Sequence, residues 1–175
     1  MNNTLTAVTN DLIECYGNTA KNVINAYRVG NERVVDMMDQ RWENAVNATG
    51  KRLTSEVRTN ALAAQKILSG YYIKGITIGT GGADTAVAKA VEVAAKGVQQ
   101  VAANAARFEK STGVTALHKF AVAAVPAAQA VSKVATRIEK QSGELVNTVA
   151  GWNPVANVES KRVSAFRKAR TAKAV

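Results

Sequence analysis

The sequence predicts an all-α protein: long amphipathic helices in an elongated antiparallel bundle or coiled-coil-like arrangement, ending in a basic tail. Three observations carry that expectation. Apolar residues recur at steps of three and four over long stretches, which marks one face of a helix. Only two prolines occur, Pro126 and Pro154, and the glycines cluster. Each of these residues costs a helix interior free energy, about 3 kcal/mol for proline and about 1 for glycine. Finally, the one stretch rich in β-branched and aromatic residues has no second strand to pair with.

The first stripe runs through Leu5, Val8, Leu12, Tyr16, Ala20, Val23, Tyr27, Val34, Met38, Trp42 and Ala45. Asn2, Asn3 or Thr4 supplies the side-chain oxygen that caps the first free amides. Thr49-Gly50 is either a break or a weak point, so residues 1–78 read as one helix or two. The pattern resumes at Leu53, Val57, Ala61, Ala64 and Leu68. The unpaired stretch Gly70–Ile78, containing Tyr71-Tyr72, reads as the end of that helix.

Gly79-Thr80-Gly81-Gly82 reads as a loop. A helix follows with Val87, Val91, Ala94, Val98, Val101, Ala105 and Phe108 on one side, and a polar stripe from Lys89 to Lys110 on another. It is expected to stop near Ser111-Thr112-Gly113, where Ser111 or Thr112 caps the next helix. That helix carries Leu117, Ala121, Ala124, Ala128, Val131, Ala135 and Ile138, with a kink expected at Pro126 and an end at Gln141-Ser142-Gly143. A short segment with Leu145, Val146, Val149 and Trp152 precedes Pro154. The domain reading is therefore 1–78 as an amphipathic segment, 84–153 as an alanine/valine-rich helical region, and 154–175 as a basic tail.

Composition bounds the function. The apolar share of 47% is rich in alanine and valine, and aromatics make up 5%. Burial stabilises in proportion to apolar area, roughly 25 cal/mol per Å², so such faces build a thin core. A thin core predicts self-association, through a face that includes Leu12, Val23, Tyr27, Val34, Met38 and Trp42. The net charge of +10 calls for an anionic partner. Charge concentrates toward the end of the chain. Residues 1–70 hold eight Lys/Arg against seven Asp/Glu, and the last 35 hold six against two. Those six, Lys161, Arg162, Arg167, Lys168, Arg170 and Lys173, form the candidate contact for an anionic partner, with Phe166 among them to stack or insert. A solubilising tail is the competing account.

Other motifs are read as ordinary structure. Gly79-x-Gly81 begins like a dinucleotide fingerprint, but Asp84 stands at the third glycine position and no strand–helix–strand unit surrounds it. His118 is the only histidine and Cys15 the only cysteine, so neither a metal set nor an intrachain disulfide can be assembled from them. Asn47-Ala48-Thr49 matches a glycosylation sequon without a secretory signal to make it meaningful. No cofactor, catalytic residue or metal ligand is expected. The run Phe120–Val131 is too short to span a bilayer. The expected location is the cytoplasm.

The long N-terminal amphipathic stretch, the alanine/valine-rich helices, the segment Ala121-Val122-Ala123-Ala124-Val125-Pro126-Ala127-Ala128 and the ending Ala169-Arg170-Thr171-Ala172-Lys173-Ala174-Val175 together resemble phasins. These small bacterial proteins coat polyhydroxyalkanoate granules. The resemblance covers most of the chain and lies in texture and architecture, not in a motif. It implies a non-enzymatic, often oligomeric protein adsorbed on a hydrophobic polymer; the amphipathic helices themselves suit such a polymer or a lipid surface. The unusual basicity leaves nucleic acid as a further partner through the tail. Two other classes stand beside this one: a basic architectural protein of nucleic acid, and a self-assembling helical structural protein.

Overall fold

The computed structural model describes residues 4–49, 53–113 and 115–152. Three helices account for 95% of these residues. They are α1 (Leu5–Ala48), α2 (Ser55–Thr112) and α3 (Ala116–Gly151), and no strand occurs among the described residues. The all-α expectation holds. The tail lies outside the described residues.

Local chemistry sets the ends. Thr4 caps α1, accepting from the Ala7 amide through Oγ1 at 3.3 Å. Thr54 does the same for α2 through the Val57 amide at 3.4 Å, and Glu56 sits in that first turn, where an acid complements the helix dipole. α2 stops at Gly113, whose φ of 70° is the left-handed conformation that closes many helices. Its amide donates to the Glu109 carbonyl at 2.9 Å.

α3 is capped differently from the sequence expectation. The Ser111 and Thr112 hydroxyls donate back to the Phe108 carbonyl within α2, at 2.9 and 2.8 Å. The first turn of α3 instead begins at Thr115, and the amide of His118 donates to the Glu109 carboxylate. Glu109, farther back in α2, does the capping because Ser111 and Thr112 are still helical.

Two further expectations are corrected. Gly79-Thr80-Gly81-Gly82 is not a loop, since α2 passes straight through it. Glycine weakens a helix without forbidding it, and the inward positions keep their spacing across the run, at Ile76, Thr80, Asp84 and Val87. Thr80 itself is buried. Nor does α3 end at Gln141-Ser142-Gly143. It continues to Gly151 and absorbs the segment read as separate. The question of one helix or two before residue 78 resolves to two, because α1 ends at Ala48 and α2 begins at Ser55.

By contacts, the described chain forms two units, neither of them a contiguous stretch. The first unit combines the part of α1 up to Tyr27 with residues 78–147. Here α1 and α3 run parallel: Cys15 faces Thr136, and Asn22 faces Ser142. α2 is antiparallel to both, with Val91 against Gly17 and Glu109 against the start of α3. The second unit holds Arg28–Thr77 and the last turn of α3. In it α1 and α2 form an antiparallel hairpin, with Trp42 against Ala61 and Asn31 against Tyr72. Val149 packs on Gly30 there.

Candidate functional site

The seams between helices mix small and polar residues with valine and a leucine. On α3 the inward positions of the first unit are Ala121, Val125, Ala128, Ser132, Ala135, Glu139, Ser142 and Val146, alternating steps of four and three. That is a coiled-coil repeat. α1 matches it with Val8, Leu12, Cys15, Thr19, Asn22 and Ala26. Ala135 is the most buried residue of α3, at 3% exposed.

Polar groups in this seam satisfy each other across helices. Asn18 Nδ2 donates to the Glu139 carboxylate at 2.7 Å. Asn22 Nδ2 reaches the Glu139 carbonyl at 3.3 Å and Ser142 Oγ at 3.0 Å. Cys15 Sγ lies 3.6 Å from Thr136 Oγ1. Burial first, and then its hydrogen bond with Glu139, push the Cys15 thiol up from its ordinary value. It therefore stays protonated at neutral pH, the opposite of an activated nucleophile.

The second unit has its own polar floor. Ser69, which is buried, donates to Asp39 Oδ1 at 2.5 Å, and Gln65 Nε2 donates to the same oxygen at 3.0 Å. Above them a groove of about 440 Å³ is lined by Val34, Val35, Met38, Gln65, Leu68, Ser69 and Tyr72. At the other unit's end a crevice of about 290 Å³ contains Leu5, Ala102, Glu109, Leu117 and His118. His118 and Glu109 are the ionisable side chains that line it. Among the described residues no group of three or more His, Cys, Asp or Glu could hold a metal ion.

Large apolar side chains are on the outside. Phe120 is 72% exposed, Tyr71 71%, Val101 70% and Val93 69%, whereas among the described residues no large side chain is fully buried. The face expected to self-associate has a divided placement. Val23, Tyr27, Met38 and Trp42 are exposed, while Leu12 and Val34 are half-buried. Leu12 belongs to the seam of the first unit, whose buried neighbours on α1 are Val8, Cys15 and Ala26, and the buried apolar positions of α1 in the second unit are Val35 and Val46. Met38 and Val34 also wall the groove, and Trp42 donates its indole N–H to the Ala61 carbonyl at 3.2 Å. The tail cations Lys161, Arg162, Arg167, Lys168, Arg170 and Lys173 lie outside the described residues, as does Phe166.

Asn18, Asn22, Asp39, Ser69, Glu139 and Ser142 were missed as structural positions. A stripe search keyed to apolar residues skips them. The alternating four-three spacing on α3 was the signal that places Glu139 and Ser142 inward.

The class defined by these features is a helical bundle with polar seams and apolar exposed faces. None of its described helices has a stretch apolar enough to cross a membrane. Comparison with family models, with curated proteins and with solved structures gives no match.

Proposed function

We propose that this chain is a non-enzymatic surface-coating protein of phasin type, adsorbing through amphipathic helices to hydrophobic storage granules in the cytoplasm and associating with copies of itself. One observation carries the reading: the buried positions among the described residues are few and are filled by valine, alanine, cysteine, serine and threonine, while many bulky apolar side chains, Phe120, Tyr71 and Ile78 among them, are more than half exposed. A protein that works in water alone gains most by the reverse arrangement, since the hydrophobic effect favours taking large apolar surface out of solvent. Exposed apolar faces on this scale mark interaction surfaces. An apolar polymer or lipid surface covers such faces without requiring a shaped partner, and so do further copies of the chain. The resemblance to phasins supports the same conclusion from sequence texture.

The test is adsorption of the purified protein to polyhydroxybutyrate particles at low and high salt. Burial-driven adsorption persists as salt rises. Release at high salt would instead place the interaction with charge, and with the nucleic-acid reading of the tail.

A further inference from the structure

The outer face of α3 narrows the kind of surface this protein meets. Within the first unit, Phe120, Val131, Val134, Ile138 and Leu145 are all exposed, and they follow one another at intervals of eleven, three, four and seven residues. At 3.6 residues per turn those intervals return to one side of the helix. They form a stripe of bulky side chains beside the alanine seam, not part of it. The exposed cations Lys119, Lys133, Arg137 and Lys140 fall at intervals of fourteen, four and three, along another line roughly a third of a turn away. Glu139 is turned to the opposite edge, where Asn18 holds its carboxylate. The salt bridge found among the described residues is Lys96 with Glu92 on α2. Glu144, also exposed, shares the side of the cations four residues beyond Lys140, so this line of α3 carries four cations and one carboxylate, a net excess of positive charge.

We infer that α3 is an interfacial helix that lies flat on a phospholipid surface bearing anionic headgroups, with the stripe from Phe120 to Leu145 immersed and the Lys119–Lys140 line reaching the phosphates. This rests on the adsorption reading above and adds the chemistry of the partner surface. A helix with bulky apolar residues on one face and Lys/Arg on another binds in the plane of the headgroup region through both terms together. The long Lys and Arg stems extend along the apolar boundary and leave their charges at headgroup level. A bare polyester offers no fixed anions, so it gives those four cations nothing to bind. Charge complementarity therefore favours anionic lipid.

The full-length chain would be mixed with vesicles of phosphatidylcholine alone, with vesicles of equal parts phosphatidylcholine and phosphatidylglycerol, and with polyhydroxybutyrate particles. Two variants accompany it, Val134→Ser/Ile138→Ser and Lys133→Gln/Arg137→Gln/Lys140→Gln, together with a Lys/Arg→Gln variant of the tail. All the α3 substitutions are at exposed positions, and circular dichroism checks that helix content is kept. We expect anionic vesicles to be preferred at least tenfold over neutral ones. The stripe variant should lose about tenfold on them with its charges intact. The α3 charge variant should lose up to roughly a hundredfold, at about fivefold per cation near an anionic surface.

Vesicle binding that responds only to the tail variant would overturn the assignment to α3. So would a stripe variant that changes the mass of the protein by light scattering while vesicles are not bound, because the stripe would then serve a second copy. Unaltered binding to polymer particles by every variant, without vesicle binding, would leave the coating function standing and remove this inference. Failure to bind either surface would remove the coating function itself.

Discussion

Asn22 of α1 donates to both the carbonyl of Glu139 and the hydroxyl of Ser142 on α3, at 3.3 and 3.0 Å, and so fixes the register in which the two helices run side by side. An amide at a seam position specifies alignment where alanines alone would slide. Replacing Asn22 with Ala should lower stability by about 1 kcal/mol, the typical worth of such a hydrogen-bonded group. Urea unfolding followed by circular dichroism measures it. An unchanged midpoint would mean that the register is set elsewhere.

Gly79, Gly81 and Gly82 give a test of the continuous α2. A methyl group added at any of them meets nothing within 4 Å. In a helix each Gly→Ala change should stabilise by about 1 kcal/mol, partly by restricting the unfolded chain. Thermal melts of the triple variant should rise accordingly. A loop at this place would show no such gain.

Cys15 should be slow to react with a thiol reagent in the folded protein and fast in denaturant. Its thiol is raised in the folded state, so the folded form holds its proton to higher pH than the unfolded form does. The sign follows: this contribution is whole below the ordinary thiol value, and stability declines as pH climbs above it. Cys15→Ala should flatten that alkaline decline. Equal labelling rates in folded and denatured protein would contradict the burial.

Self-association is best probed at Val23, which is exposed and lies outside the groove that Val34 lines. The wild-type chain is expected to be larger than a monomer at tens of micromolar by light scattering, and Val23→Asp to reduce its mass. Helix content should not change, since the substituted side chain already faces solvent. A monomeric wild type would remove the prediction.

The basic tail is tested by deleting residues 160–175. If it engages duplex DNA, each phosphate contact adds about −0.9 to the slope of log affinity against log salt. Six cations are lost with the deletion, so the slope should flatten by several units and affinity should fall for all sequences alike. Adsorption to polymer particles should be nearly unaffected. An unchanged DNA slope would take the tail out of any nucleic-acid role.

How far the sequence reveals this fold depends on what each position contributes to the pattern. The existence of helices was legible because Val87, Val91, Val98 and their kind repeat at helical spacing. The end of α2 was legible because Gly113 supplies the φ that a side chain resists. The middle of α2 was not: three glycines imitate a turn, and the inward residues there are Thr80 and Asp84, which apolar periodicity overlooks. For the same reason the seam of α3 past Ile138 was hidden, since Glu139 and Ser142 hold positions where an apolar residue is expected. The stripe from Leu12 to Trp42 is a real pattern, but apart from Leu12 itself the buried positions of α1 fall on the adjoining line of smaller side chains. Where many large apolar residues are exposed, the most conspicuous stripe is not the one that builds the core.

Gly17 is closely approached by Val91, and a methyl at that position would collide with the valine side chain. Its lack of a side chain is what lets α2 sit against the backbone of α1. The glycines of this protein are thus unequal under mutation. Saturation of positions 79, 81 and 82 should return many tolerated alleles, while position 17 should accept few or none unless a smaller residue arises at 91 in the same molecule. That pair is where compensating change between helices would first become visible in a diverging lineage.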